Sequence, residues 1–267
     1  LALHIQAVQV AFLNADYRQV EDLAEAVQHK ARCEVDKVQI FETLIYAAQA
    51  RNELLQGLET GLHAARSLGY PLPARPGKIR VLSDLIKTKY LLRSKSRDEL
   101  LNLPLMTDPV QLSFIRIASV FGTSMYMISP ELLPLLVHKC LKQTLEHGLA
   151  PESPVFFVVY GIILSNVGQD LAGSSRFGEL AFHLSKRFTS QKVQTSIAYM
   201  YNSGFRHLKF PLRESLGPLL ENWQKGLEAG NFQDSASSAY VYSMYLLLSG
   251  EELGRVEDEM HKYRQAF

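Results

Sequence analysis

The sequence predicts an all-α protein of antiparallel helical hairpins stacked as an α-solenoid, on three observations. Apolar residues recur three and four apart through nearly every stretch of the chain. No stretch alternates strictly between apolar and polar with turn chemistry on both sides, as a half-buried strand does. A unit of two helices and a tight turn also repeats with a period of about 34 residues, most plainly at 151–190. An antiparallel pair leaves an apolar face that only the next pair can cover, so such pairs stack into a superhelix with a concave side.

Taken in order, residues 2–14 predict a first helix with Ile5, Val8, Phe12 and Leu13 on one side. Asp16 then stands where an N-cap belongs, and Tyr17 to about Cys33 predicts a second helix bearing Val20, Leu23, Ala24 and Val27. Asn14-Ala15-Asp16-Tyr17 followed by Leu23-Ala24-Glu25-Ala26 resembles the turn and second helix of a tetratricopeptide unit. A second hairpin follows, with Val38, Phe41, Ile45 and Ala48 on helix 34–50 and Leu55, Leu58, Leu62 and Ala65 on helix 52–68. Gly69-Tyr70-Pro71-Leu72-Pro73 stops it, because Gly closes a helix and Pro cannot continue one.

The pattern loosens from Gly77 to Leu103. Helix 78–94 turns Val81, Leu85 and Leu92 inward, and the stretch up to Pro109 reads as a loop or short helix. Asp108 to about Ile128 predicts a helix carrying Val110, Phe114, Ile117, Phe121 and Met125. Ser129-Pro130 starts the next, to about His147, with Ser as cap and Pro in the first turn. The central hairpin pairs Val155–Val167 with a helix of Phe177, Leu180, Ala181 and Leu184 running to about Phe188, across the turn Gly168-Gln169-Asp170. Helix 192–208 follows, with Ile197, Met200, Tyr201, Gly204 and Phe205 inward and Thr195, Tyr199, Asn202 and Arg206 on the opposite stripe. Pro211 opens helix 211–229, Gly230-Asn231-Phe232 resembles a tetratricopeptide inter-helix turn, and helices 235–248 and 252–267 end the chain. The expected segments are 1–76 (hairpins), 77–150 (less regular repeats) and 151–267 (tetratricopeptide-like hairpins), forming one continuous array cut from a longer protein.

Composition narrows the function classes. A net charge of +1 over 267 residues offers no global field for nucleic acid or an acidic surface. The longest apolar run, Val155–Leu164, is about half of what a bilayer-spanning helix needs, and the first residues lack the basic start of a signal peptide. Cys33 and Cys140 lie far apart at apolar-looking helix positions, which predicts two buried free thiols and a reducing, cytoplasmic setting.

Reaction chemistry is not signalled. The eight histidines form no i, i+4 pair on one helix, and there is no HExxH and no CxxC, so no metal or cofactor is expected. Gly173-Ser174-Ser175-Arg176-Phe177-Gly178 lacks the Lys-Ser/Thr of a phosphate-binding loop and is no GxSxG elbow. Small residues let the second helix of a hairpin pack closely, and that accounts for it. Lys87, Lys89, Arg93, Lys95 and Arg97 cluster near Tyr90, but Asp84, Asp98 and Glu99 dilute them to a solvated face.

Binding is better signalled. Tyr126, Tyr160, Tyr199, Tyr201, Tyr240, Tyr242 and Tyr245 concentrate in the C-terminal two thirds, mostly on first helices of pairs, which line the concave face of such arrays. Tyr combines a flat apolar body with a hydroxyl at low entropic cost. Arg116, Tyr160, Thr195, Tyr199, Asn202, Arg206 and Tyr242 are therefore the groove-binding candidates, with Arg116, Asn202 and Arg206 as polar anchors. The competing reading of each tyrosine is a filler of gaps between helices.

Several phrases, in this order, resemble the helical-repeat region of very large signalling proteins: Leu68-Gly69-Tyr70-Pro71-Leu72-Pro73, Leu103-Pro104-Leu105-Met106-Thr107-Asp108-Pro109, Tyr160-Gly161, and Phe177-Gly178-Glu179-Leu180-Ala181. The resemblance spans roughly residues 1–250. In that family a serine/threonine-kinase-like domain and a STAND-type (AAA-like) ATPase precede the repeats, and GAF and histidine-kinase modules follow. The resemblance implies a non-enzymatic sensor or interaction module that regulates neighbouring ATPase or kinase domains. Its expected ligand is a peptide, a protein segment, a neighbouring domain or a small inducer, with no nucleic acid and no membrane. The alternative is a structural spacer or oligomerisation arm without a ligand.

Overall fold

The computed structural model describes residues 2–28, 31, 33–73 and 76–264. Among the described residues it forms fourteen α-helices, three 3-10 turns and no strand. Their extended pairing is an isolated bridge between Leu105 and Leu149, in which Met106 N–H donates to the Leu149 carbonyl (2.9 Å) and Leu149 N–H to that of Pro104 (2.7 Å). The chain divides into two compact units, Leu1–Ser153 and Pro154–Phe267.

In the first unit, α1 (Ala2–Leu13) and α2 (Tyr17–Gln28) form a hairpin with α3 (Glu34–Ala50) laid against both. Their core is Val8, Ala11, Val20, Ala24, Val27, Ile40 and Ala47. Helix α3 also packs on α4 (Leu54–Ser67) and on α7 (Pro109–Ile128). Contact on several sides explains why α3 buries residues all round, including Val38, Phe41, Ile45 and Ala48. The same holds for α7, which lies against α3, α4 and α8 (Leu133–His147) and buries Phe114, Ile117, Phe121 and Met125. Helix α5 (Lys78–Arg93) packs on α8, and α6 (Arg97–Leu101) is a single turn closed by a Ser96–Glu99 capping box. Tyr70 stacks on Phe114 at 4.1 Å between ring centres and donates its hydroxyl to Gln143 of α8.

The second unit holds α9 (Ser153–Asn166), whose first residue closes the first unit, then α10 (Leu171–Ser185) and α11 (Gln191–Gly204). It ends with α12 (Leu216–Glu228), α13 (Phe232–Leu248) and α14 (Leu253–Arg264). Tyr160 meets Phe177 edge-on at 4.9 Å across α9 and α10. Leu219, Ala239, Tyr242, Leu246, Val256 and Tyr263 form the core of α12–α14, with Trp223 edge-on to Tyr263.

One turn recurs. At the ends of α1, α3, α4, α12 and α13 a residue takes positive φ: Ala15, Asn52, Gly69, Gly230 and Gly250. The next N–H then donates to the carbonyl five residues back, as from Asp16 to Ala11 (3.0 Å), Glu53 to Ala48 (2.8 Å) and Asn231 to Gly226 (2.8 Å). This left-handed closure satisfies carbonyls that the helix end orphans. Between α1 and α2, α3 and α4, and α12 and α13 it reverses the chain within three residues and lays the second helix on the first.

Several expectations change. The second helix is described to Gln28, and residues 29, 30 and 32 lie outside the described residues, as do 265–267 of the last helix. Cys33 is exposed, because it stands just ahead of α3 and not within a helix; Cys140 is the buried thiol. Leu13 and Leu55 face solvent. Ser129 makes no side-chain cap, since its backbone (φ −148, ψ 59) leads into a 3-10 turn at Pro130–Leu132. Helix α11 stops at Gly204, so Arg206 sits in a 3-10 turn, Arg206–Leu208. Pro211 leads a second such turn, Leu212–Ser215, before α12 starts, and α13 starts at Phe232, three residues earlier than expected.

Candidate functional site

The seven groove candidates do not form one site. Arg116 belongs to the first unit, where its guanidinium grips Glu42 of α3 through Nε (2.5 Å) and Nη2 (2.7 Å). This fork-to-fork pair is the geometry an arginine offers a carboxylate. Beside it lies a cavity of about 270 Å³ whose apolar wall is Val35, Val38, Leu112 and Pro151, with Glu152 also lining it. Burial pushes the Glu152 carboxyl above the usual carboxylate range; Arg116 opposes that shift and Glu42 adds to it.

Tyr160 and Tyr242 are core residues, Tyr160 against Phe177 and Tyr242 edge-on to Tyr263. Burial raises both phenols above their ordinary value. Tyr201 and Tyr245 are buried as well; Tyr245 donates its hydroxyl to the Ser203 carbonyl (2.5 Å). Tyr126 and Tyr240 are exposed. Arg206 lies over the Phe210 ring (4.8 Å) and 3.6 Å from the Glu214 carboxylate. Tyr199 is half-buried on α11.

Thr195 and Asn202 do come together. Two turns apart on α11, both line a cleft of about 290 Å³ between the end of α10, α11 and α12. Asn222 of α12 completes its polar floor, and Lys186, Glu221, Lys225 and Glu228 give it a rim of mixed charge. Lys225 and Glu221 pair with each other at 2.6 Å.

The floor is a hydrogen-bonded seam. Asn222 Nδ2 donates to the Thr195 carbonyl and to Ser238 Oγ, each at 3.0 Å. Asn231 Nδ2 lies within reach of Thr195 Oγ1 (3.0 Å), Ser196 Oγ (3.1 Å) and Asp234 Oδ2 (2.8 Å), and the last two also bond to each other. Thr195, Asn222, Asn231 and Ser238 are almost fully buried, and buried amides need such partners. Asn202 Nδ2 donates to the Ala198 carbonyl at 2.8 Å. Among the described residues Asn202 Oδ1 and Asn222 Oδ1 accept nothing, so the cleft presents two amide carbonyls to a donor.

Sequence reasoning found Thr195 and Asn202 but missed Asn222, Asn231, Asp234 and Ser238. Asn231 had a signal, since it follows Gly230 at a helix end where an asparagine fits a cap. Asn222 had only its spacing, three residues after Leu219 and four before Gly226 on the buried face of α12. The Gly173–Gly178 run is helix α10, with Ser174 and Ser175 buried. Among the described residues no three His, Cys, Asp or Glu side chains are placed to hold a metal, and no helix is long and apolar enough to cross a membrane.

No family model and no solved structure matches the chain. Over 156 residues, 57% of the chain, it is 24% identical to hybrid signal transduction histidine kinase G of Dictyostelium discoideum. The chain spans only about 4% of that protein's length. The likeness is to a small part of a signalling kinase.

Proposed function

We propose that the chain is a non-catalytic helical-repeat module of a signalling protein. In this reading it binds a peptide, a protein segment or a small inducer in a groove and regulates adjoining ATPase or kinase domains. The observation that carries it is the α11–α12 cleft, where Thr195, Asn202 and Asn222 share one polar floor with two unengaged amide carbonyls. Extended peptides and amide-bearing inducers offer N–H groups of matching chemistry. The recurring left-handed turn supports the tetratricopeptide-like array, and the likeness to part of a histidine kinase supports the signalling setting.

A thermal-shift screen of the chain against peptides, nucleotides and metabolites tests the reading, because a ligand of the folded state raises the Tm. The expected hit disappears in Asn202→Ala and weakens in Lys186→Glu, while the helical circular dichroism of both variants stays native. A spacer or oligomerisation arm is the second reading. It is favoured by the use of Thr195, Asn222 and Asn231 in tying helices together. Silence across the library, with a concentration-dependent mass by light scattering, would establish that reading instead.

A further inference from the structure

Helix α5 carries a second apolar face that the fold leaves uncovered. One side of it, with Val81, Leu85, Thr88 and Leu92, turns inward toward α8, where Thr88 Oγ1 meets His138 Nδ1 at 3.0 Å. About a third of a turn away, Ile79, Leu82, Ile86 and Tyr90 are 88%, 59%, 48% and 67% exposed. Their spacing of three, four and four residues makes one straight stripe about 16 Å long. Apolar side chains aligned like this at a surface mark a contact site, whereas scattered ones need no explanation.

The charges around the stripe are one-sided. Helix α5 holds Lys78, Arg80, Lys87, Lys89 and Arg93 against a single acid, Asp84, which pairs with Lys87 at 3.1 Å. At about 100° per residue, Lys78 and Lys89 border one edge of the stripe, Arg93 stands at its C-terminal end, and Arg80 and Lys87 lie beyond the other edge. Among the described residues Lys78, Arg80, Lys89 and Arg93 have no ion-pair partner.

We infer that this stripe docks an acidic amphipathic helix of a partner polypeptide. Alternating three- and four-residue spacing is the seam two helices share, and a narrow seam with charge at its edges selects a partner by complementary flanking charge. A second copy of the chain is disfavoured, since pairing α5 with itself sets five basic residues against five. A lipid surface would engage a broader apolar face than this narrow stripe. The inference concerns the first unit and stands independently of the α11–α12 cleft.

The test uses a fluorescein-labelled, hydrocarbon-stapled 16-residue helix with Leu at positions 1, 4, 8 and 11 and Glu beside them, titrated into the chain by anisotropy. Saturable binding is expected, weakening about fivefold or more between 50 and 300 mM salt as the flanking charges are screened. Ile86→Asp should abolish it and Lys89→Glu with Arg93→Glu should weaken it, both with native circular dichroism; these side chains are exposed, so the fold tolerates the changes. Equal binding of the Glu→Lys version of the peptide, or undiminished binding by Ile86→Asp, overturns the inference. So does sedimentation of the chain with phosphatidylserine vesicles when the acidic helix is ignored, which would assign the stripe to lipid.

Discussion

Arg116 and Glu42 show what one residue can settle. An arginine inside an apolar helix reads as a groove anchor, but here it is half of an ion pair. Glu42 is 8% exposed, while the Arg116 side chain keeps 46% of its surface. Arg116→Met should therefore cost about 1–3 kcal/mol in urea unfolding, below the cost of breaking a fully buried pair. Glu42→Gln combined with Arg116→Met should recover much of that loss, because the buried negative charge is then removed together with its arginine. Additive losses in the double variant would mean the two side chains act separately. Glu152 behaves in the opposite sense. Its carboxyl is raised by burial, so the folded state holds its proton more tightly than the unfolded chain. The stability this contributes is complete below the ordinary carboxylate range and is lost as pH climbs through the raised folded value. Glu152→Gln should thus be more stable than the parent at pH 7 and match it near pH 4, by urea midpoints at the two values. An unchanged midpoint at pH 7 would show that the carboxyl is well solvated.

Among the elements, close approach and turn geometry decide what substitution does. Gly178 of α10 leaves room for Phe205, which follows α11: a Cβ there would stand 2.5 Å from the Phe205 ring. Phe205 is almost fully buried and has nowhere to move, so Gly178→Ala should destabilise by about 1–3 kcal/mol through overpacking. Phe205→Leu in the same chain should relieve part of this. Ala15 offers the reverse case, an exposed non-glycine held at φ 56. Ala15→Gly should stabilise by up to about 1 kcal/mol, read as a higher midpoint in thermal melts, because the left-handed region costs an alanine that much. These examples also show what the sequence could tell. Helix α3 is found where its apolar spacing put it, 34–50, and the turns after α1 and α12 were legible in Asp16 and in Gly230-Asn231. The 3-10 turns at Arg206–Leu208 and Leu212–Ser215 were not, since a tightened turn keeps almost the same apolar spacing as the α-helix it interrupts. Cys33 was misplaced for a related reason: apolar neighbours do not distinguish a helix's last turn from the residue that precedes the next helix. In the cleft, Thr195 and Asn202 were visible as a polar stripe on an apolar helix. Their partners Asn222 and Asn231 come from residues 20 and more positions later, where only the stacking of α12 and α13 on α11 unites them.

For the whole molecule, the division into two compact units sets how it should unfold. Most packing joins helices near in sequence, and in such architectures stability is a sum over neighbouring elements, so cooperativity need not span the chain. Each unit carries its own reporter. The one tryptophan, Trp223, sits against Tyr263 in the second unit, and the buried thiol of Cys140 lies on α8 of the first. Burial pushes that thiol well above its ordinary value, which suppresses the reactive thiolate until α8 opens. In a thiol-labelling experiment Cys33, being exposed, should react at once as one equivalent, and Cys140 only as the first unit unfolds. Across a urea titration the second equivalent and the Trp223 emission should follow separate curves, and the loss of helical ellipticity should be their weighted sum. A Cys33→Ser chain removes the burst and leaves the Cys140 curve unchanged. Coincidence of all three probes at one midpoint would instead mean that the units unfold as a single cooperative body, and a ligand engaging one would then stabilise both.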